Sequence, residues 1–299
     1  MSPQKKAKSE MPRDKKKTVV VANCLALSLS AMAVAGNQTL PAVGVLGAPE
    51  DLTFTSKVDG STQHYLQMLP KPFDAGKSCD LLIALHGHGS DRWQYVKQGR
   101  GECKAARDFA AAHGMIYISP DYRASTSWMG PAAEADMVQL IELLRKQHAI
   151  RRFFLTGASM GGSSALIFTA LHPDLVAGVS SQNGTANMAE FENFQDAIAA
   201  SYGGGKTNRP QEYNRRSPEL IPGTFTMPVA FAVGGQDATV PPDSVRRLAG
   251  KLKSLNKKDI LIIDRPAGGH ATTYEDTMQS LDFMLKAADA KQGMSLERR

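Results

Sequence analysis

The sequence predicts an α/β fold in which a mostly parallel sheet is covered by helices on both faces. Strand-like and helix-like segments alternate along most of the chain, as they do where crossover helices join parallel strands. One strand-like segment, Asp80–Leu85 (DLLIAL), is a nearly continuous apolar run, which is typical of a strand buried on both sides. No internal repeat with a period of about 20–50 residues is visible, so a solenoid or propeller is not expected.

Eight strands are predicted from apolar runs and from alternation of polar and apolar residues. The first two alternate and therefore belong near an edge of the sheet, whereas the later ones are more uniformly apolar. The predicted strands are Leu52–Val58, Gln63–Leu69, Asp80–Leu85, Met115–Ser119, Arg152–Thr156, Leu175–Ser180, Pro228–Val233 and Asp259–Ile263.

The helices are predicted from helical spacing of apolar residues and from their end signals. For example, Gly114 ends the first helix, and Met137, Leu140, Ile141 and Leu144 recur at helical spacing in the second. The predicted helices are Glu102–His113, Pro131–His148, Met160–Leu171, Pro242–Leu255 and Thr273–Ala288, with another around Met188–Ala200 in the less regular stretch 182–226. That stretch is too short and too broken for a large cap domain.

Composition and charge exclude several classes of protein. Of 299 residues, 42% are hydrophobic and 21% are charged, which is typical of a globular chain. The net charge of +6 is concentrated in residues 1–35, which hold seven Lys/Arg and two acidic residues. The remaining 28 basic and 27 acidic residues nearly cancel. A basic surface for nucleic acid is therefore not expected.

The amino-terminal segment predicts a cleavable signal peptide. A basic stretch ends at Lys17 and is followed by an apolar run, residues 18–35, that closes with the small residues Ala33-Val34-Ala35. The run is shorter and more polar than a membrane-spanning anchor. Initiation at Met1 or Met11 leaves a basic region before the run in either case. We therefore expect a secreted or periplasmic protein, cleaved near Ala35, with no stable membrane partner.

The remaining chain is predicted to be one domain. Residues 1–35 are assigned to the signal peptide, 36–50 to a linker, 51–290 to the α/β domain and 291–299 to a carboxyl-terminal tail. In an exported chain the two remaining cysteines, Cys79 and Cys103, are a candidate disulfide, and the alternative is two buried thiols.

The clearest chemical signal is Gly157-Ala158-Ser159-Met160-Gly161, which matches G-x-S-x-G. An apolar strand runs into this segment and a helix leaves it, the setting that exposes a serine hydroxyl on a strained turn above the sheet. The alternative is a glycine-rich turn with an inert serine. We predict that Ser159 is a nucleophile.

A serine nucleophile needs a base that is itself oriented by an acid. Of the seven histidines, His270 lies in a Gly-rich loop after the last strand, at the same sheet edge as Ser159. Asp237 follows the strand before it, which gives the chain order Ser, Asp, His of one hydrolase class. The runners-up for the acid are Asp243 and Asp264.

The segment His86-Gly87-His88-Gly89-Ser90 follows the apolar strand and predicts an oxyanion hole. The expected donors are the backbone amides of His88 and of Met160, with Gly89 as an alternative to His88. A His-x-His pair also suggests metal, but no third ligand lies nearby in the sequence, so no metal site is expected.

These segments together resemble the α/β-hydrolase superfamily over about residues 50–290. The resemblance is strongest to secreted esterases of the polyhydroxybutyrate-depolymerase and feruloyl-esterase type, and to catalytic domains of prolyl-oligopeptidase-like enzymes. The matching stretches are LLIALHGHGSDRW, FFLTGASMGG, YNRRSPEL, GGQDATVPP and GGHATTYED. The resemblance implies an α/β-hydrolase fold and acyl transfer through an acyl-serine intermediate without a cofactor.

We therefore expect a secreted serine esterase acting on a small-molecule or polysaccharide-linked ester, such as an acetyl or feruloyl ester. Trp93, Tyr122 and Trp128 are candidate pocket residues, with ordinary packing as the alternative. The competing functions are a prolyl-oligopeptidase-like peptidase and a catalytically silent binding protein. No acidic or arginine cluster that would capture a peptide terminus is expected beside the site loops, with Arg92 and Arg123 as the exceptions.

Overall fold

The computed structural model describes residues 44–296, with side chains to residue 293. The predicted signal peptide and most of the predicted linker lie outside the described residues. Strand β1, Val45–Leu46, falls inside the predicted linker and pairs antiparallel with β4, Pro70–Lys71. The domain therefore includes residues that the sequence assigned to the linker.

The main sheet has eight strands, and its order is β10-β9-β8-β7-β5-β6-β3-β2. Strands β5 to β10 are mutually parallel, whereas β2 and β3 add an antiparallel edge. The strands are β2 (Glu50–Thr55), β3 (Thr62–Met68), β5 (Cys79–Leu85), β6 (Ile116–Pro120), β7 (Ile150–Ala158), β8 (Gly178–Gln182), β9 (Val229–Gly234) and β10 (Ile260–Arg265). This is the mostly parallel sheet that the sequence predicted.

Eight α-helices accompany the sheet in the described chain. They are α1 (Gln94–Lys97), α2 (Gly101–Ala112), α3 (Pro131–Gln147), α4 (Met160–Leu171), α5 (Gln195–Tyr202), α6 (Pro210–Arg215), α7 (Asp243–Ser254) and α8 (Tyr274–Leu296). Helix α8 continues past residue 290, where the sequence predicted a tail. Among residues 44–296, no helix is long and apolar enough to cross a membrane.

Two apolar clusters cover the two faces of the sheet. Alternate residues of β5 point to opposite clusters, with Leu81 and Ile83 in one and Leu82 and Ala84 in the other. Helices α3, α4 and α7 contribute to the first cluster, and α2 and α8 contribute to the second. Both faces are therefore buried, which explains why the β5 sequence is apolar without alternation.

The segment between β8 and β9 forms no separate cap. Its apolar residues, including Phe191, Ile198, Tyr213 and Phe225, belong to the first core cluster. The predicted helix around Met188–Ala200 is wrong in extent, because α5 begins only at Gln195. The backbone amide of Met188 instead donates to the Ser217 hydroxyl, and Phe194 has a left-handed φ of 56° just before the helix.

The candidate disulfide between Cys79 and Cys103 is not formed, and both thiols are free. Cys79 begins β5 and packs against the first cluster, whereas Cys103 lies on α2 within the second. Because the sheet separates the two clusters, the sulfur atoms lie on opposite sides of it. Burial raises the pKa of the Cys103 thiol to about 12, so this cysteine is an inert core residue.

Candidate active site

Ser159 occupies a tight turn between β7 and α4, as the sequence predicted. Its backbone has φ 59° and ψ −124°, a region that side chains rarely adopt. The turn is this tight because Gly161 lies against the end of β5. A Cβ on Gly161 would stand only 2.0 Å from the Leu85 carbonyl oxygen. The strained turn holds the Ser159 side chain at the carboxyl edge of the sheet.

The structure brings Ser159, His270 and Asp237 together in one hydrogen-bonded chain. His270 Nε2 lies 2.9 Å from Ser159 Oγ, and His270 Nδ1 lies 2.7 Å from Asp237 Oδ2. Asp237 is almost completely buried, whereas 29% of the His270 side chain is exposed. The runner-up acids are not part of this chain, because Asp264 pairs with Arg246 and the Asp243 side chain is 65% exposed.

The contacts of Asp237 determine where the protons lie. Its Oδ1 accepts hydrogen bonds from the backbone amides of Thr239 and Val240, each at 2.9 Å. A carboxylate is only an acceptor, so His270 Nδ1 donates to Oδ2. The other ring nitrogen, Nε2, is then the acceptor that faces the Ser159 hydroxyl. This tautomer can take the proton from the serine oxygen.

The loop that carries His270 is held by two contacts that the sequence analysis missed. The Asn183 side chain, just after β8, approaches the carbonyl oxygens of Gly269 and Ala271 at 3.4 Å. Gly234, at the end of β9, lets the loop approach closely, since a Cβ there would lie 2.1 Å from the Gly269 oxygen. The sequence signal for the second contact is the Gly-Gly pair that precedes Asp237.

Two backbone amides remain available for an oxyanion. The Gly87 amide donates to the Gln94 side chain, and the Gly89 amide donates to the Ser125 carbonyl at 2.8 Å. Gly89 is therefore wrong as an alternative donor. The amides of His88 and Met160 have no hydrogen-bond partner within residues 44–296. Met160 is the first residue of α4, where helix amides are unpaired and the helix dipole favours negative charge.

Two of the predicted aromatic residues, Tyr122 and Trp128, contact the loop that carries His86 and His88. The Tyr122 hydroxyl donates to the His86 carbonyl, and Trp128 Nε1 donates to His88 Nδ1 at 3.1 Å. Trp128 is completely buried against Phe191 and Phe194. Burial lowers the pKa of both His86 and His88, so neither ring is a ready site for a positive charge.

A cleft of about 440 Å³ opens above Ser159. It is lined by Gly87, His88, Gly89, Ser90, Gln94, Gln98, Arg100, Ala158, Ser159, Phe194, Thr239 and His270. None of the three predicted pocket residues lines it. Trp93 stacks instead under the Lys97 ammonium, 3.7 Å from the ring centre, and Tyr122 and Trp128 are buried behind the loop. The aromatic residue in the cleft is Phe194.

A family model supplies the identity that the geometry alone does not. The model described as the prolyl oligopeptidase family matches residues 103–290, well over half of the chain. The chain belongs to the prolyl oligopeptidase family. It is therefore a serine hydrolase of the α/β-hydrolase type. No functionally curated protein matches the chain in sequence.

Solved structures place this prolyl oligopeptidase family member among varied α/β-hydrolases. The fluorophosphonate-binding serine hydrolase F of Staphylococcus aureus is 17% identical, with a TM-score of 0.62 over 80% of this chain and 98% of that one. The acylaminoacyl peptidase of Pyrococcus horikoshii is 16% identical, with a TM-score of 0.62 over 81% and 41%. A ferulic acid esterase from Anaeromyces mucronatus is 14% identical, with a TM-score of 0.57 over 81% and 91%.

These likenesses show the shared fold. The chain spans 41% of the length of the Pyrococcus horikoshii acylaminoacyl peptidase and 36% of the length of a dipeptidyl aminopeptidase IV from Bacteroides ovatus that it also matches. It spans nearly the full length of the serine hydrolase and the ferulic acid esterase.

Proposed function

We propose that the protein is a serine esterase that hydrolyses carboxylic esters through an acyl-serine intermediate. The observation that carries the proposal is the hydrogen-bonded chain from Ser159 through His270 to Asp237 at the floor of a small, open cleft. In the first step Ser159 Oγ attacks the ester carbonyl carbon while His270 Nε2 takes its proton. Asp237 holds the ring in the required tautomer and stabilises the imidazolium that forms.

The carbonyl oxygen becomes an oxyanion as the new carbon–oxygen bond forms. The two unpaired amides, His88 and Met160, are the donors we assign to it. Collapse of the tetrahedral intermediate breaks the bond to the alcohol, which leaves with the proton from His270. A water molecule then attacks the acyl-serine by the same route, and the carboxylic acid and free Ser159 are released.

Esters suit this site better than amides. An alcohol leaves with little proton assistance, whereas an amine must be protonated as it departs, so an amide hydrolase depends more on accurate placement of the substrate. Such placement comes from contacts on both sides of the scissile bond. The cleft offers a volume of about 440 Å³, which suits a small acyl group and part of its alcohol.

For the natural substrate we propose an acetyl or aromatic acyl group on a larger alcohol, as in acetylated or feruloylated polysaccharide. Phe194 supplies an aromatic surface in the cleft, and the remaining lining is mostly polar. The fold likeness to a ferulic acid esterase is compatible with this class. The family also contains peptidases, and a peptidase of small amide substrates is the second candidate.

A matched substrate panel separates the two candidates. We expect kcat/KM on p-nitrophenyl acetate and methyl ferulate to exceed that on aminoacyl p-nitroanilides by roughly 100-fold or more, since the anilide needs protonation of its leaving amine. The variant Ser159→Ala is the control for contaminating hydrolases. An anilide cleaved as fast as the esters would overturn the esterase proposal and favour the peptidase.

We also propose that the chain is exported and cleaved near Ala35. The basic stretch, the apolar run and the closing Ala33-Val34-Ala35 support this proposal. Amino-terminal sequencing of the protein from its native host should begin at or near Gly36. Recovery of Lys15–Lys17 on the soluble protein would contradict it.

A further inference from the structure

Arg100 is the one residue with a permanent charge among those that line the cleft above Ser159. It lies just before α2, and 51% of its side chain is exposed. The other lining residues are neutral polar groups, glycines, Ala158, Phe194 and the imidazoles of His88 and His270. A lone guanidinium in this cleft is therefore placed to meet the substrate.

A buried carboxylate holds Arg100 from behind. Glu102 Oε1 lies 2.7 Å from Arg100 Nε, and the Glu102 side chain is only 1% exposed. The other oxygen, Oε2, accepts a hydrogen bond of 2.5 Å from the hydroxyl of Thr272, two residues after His270. Glu102 thus ties the Arg100 side chain to the loop that carries the histidine.

This contact is an ion pair without a hydrogen bond, because Glu102 Oε1 has no hydrogen-bond partner within residues 44–296, and it approaches the Nε side of the guanidinium. In the described part of the chain, Nη1 and Nη2 of Arg100 donate no hydrogen bond, and Glu102 is the one carboxylate paired with this side chain. Arg92 and Arg123 differ, because each directs its terminal nitrogens to two carboxylates. Those two arginines brace the fold and are not free to capture a substrate terminus.

The free end of Arg100 presents a planar fork of N–H donors. Such a fork matches the two oxygens of a carboxylate, and paired charge-assisted bonds are stronger than neutral ones. A neighbouring donor adds to it, because Gln94 uses Oε1 for the Gly87 amide and keeps its amide nitrogen for other acceptors. No aspartate or glutamate lines the cleft to repel an anion.

We propose that the preferred substrate is an ester that carries a carboxylate, and that Arg100 binds that carboxylate. This inference rests on the proposed esterase activity and adds a substrate class to it. The buried Glu102 positions the guanidinium, and the two terminal nitrogens give the selectivity. The charged group lies on either the acyl or the alcohol side of the scissile bond.

The test uses two pairs of rigid esters. Monomethyl terephthalate against methyl 4-methylbenzoate places the charge on the acyl side, and 4-acetoxybenzoate against 4-methylphenyl acetate places it on the alcohol side. For one of the pairs we expect the ratio of kcat/KM, charged over neutral, to fall roughly 10-fold or more in Arg100→Gln, mainly through KM. Comparing variants on the same pair cancels the intrinsic reactivity of the esters.

Two further variants sharpen the test. Arg100→Lys keeps the charge but loses the fork, so we expect it to keep only part of the ratio. Lys97→Gln removes the same charge from a residue that stacks on Trp93 outside the cleft, and we expect it to keep the native ratio of kcat/KM, charged over neutral.

If Arg100→Gln leaves this ratio unchanged in both pairs of esters, the inference is overturned while the esterase proposal stands. If the native protein hydrolyses none of the four esters, the esterase proposal is overturned, and this inference with it.

Discussion

Replacing Asp237 by asparagine tests the proton arrangement of the site. In the native structure Oδ1 accepts two backbone amides and Oδ2 accepts the His270 Nδ1 proton. In Asp237→Asn the side-chain oxygen should still accept the backbone amides of Thr239 and Val240. The flipped side chain would instead place its NH2 group against these two N–H donors, which is unfavourable. The NH2 group then faces His270 and forces the ring into the opposite tautomer, with the proton on Nε2. That nitrogen can no longer accept the proton of Ser159.

The expected loss of kcat is large because His270 is still present but carries its proton on Nε2, the nitrogen that should accept the serine proton. The same change in a Ser-His-Asp enzyme on an unrelated fold lowers kcat by about 10⁴. We therefore expect kcat of Asp237→Asn to fall by roughly 10³ to 10⁴, or about 4 to 5.5 kcal/mol in transition-state free energy. The unfolding free energy should change by only about 1 kcal/mol, since the two amide contacts survive.

The assay is turnover of p-nitrophenyl acetate, with thermal unfolding of the same preparations. Asp264→Asn is the matched control, because this carboxylate pairs with Arg246 away from the site and should keep full activity. Asp237→Ala should be the less stable of the two Asp237 variants, because it leaves the backbone amides of Thr239 and Val240 without an acceptor. A kcat for Asp237→Asn within 10-fold of the native value would refute the proton arrangement.

Three further predictions concern the fold that supports the site. Gly161→Ala places a Cβ 2.0 Å from the Leu85 carbonyl oxygen, so it should lower the free energy of unfolding by roughly 3 kcal/mol or more, or prevent soluble expression. The control Gly250→Ala has open space around the new Cβ and should leave stability unchanged. Burial of Glu134 is outweighed by the hydrogen bond from His172 and the charge of Arg216, which lower its pKa to about 2. Glu134→Gln should therefore lower the melting temperature at pH 7. The difference in melting temperature between this variant and the native protein should shrink as the pH falls from about 4.5 toward 2, because the native carboxylate is then protonated. Reducing agent should leave the melting temperature of the domain unchanged, because its two thiols are free.

Local signals explain what the sequence predicted well. The strand, turn and helix around Ser159 lie within some twenty consecutive residues, and the steric demand for small residues is visible as Gly157 and Gly161. The predicted α4, Met160–Leu171, coincides with the observed helix. His270 and Asp237 were found because parallel strands end at one edge of the sheet, so that their following loops meet there.

Long-range contacts explain what was missed. Met188 and Ala189, which the sequence placed in a helix, instead donate their backbone amides to the hydroxyl of Ser217, nearly thirty residues away. Trp128, predicted to line the pocket, is instead buried, and its indole N–H donates to His88 on another loop. Arg100 gave no signal, since a single arginine before a helix is ordinary and only the folded chain brings it beside Ser159.

The central claim is that Ser159 is a nucleophile activated by His270. Treatment with a fluorophosphonate probe, followed by mass mapping of the labelled peptide, tests it most directly. We predict one adduct, on the peptide that contains Ser159, with labelling abolished in Ser159→Ala and strongly slowed in His270→Ala. Labelling at another residue, or undiminished labelling of Ser159→Ala, would contradict the account.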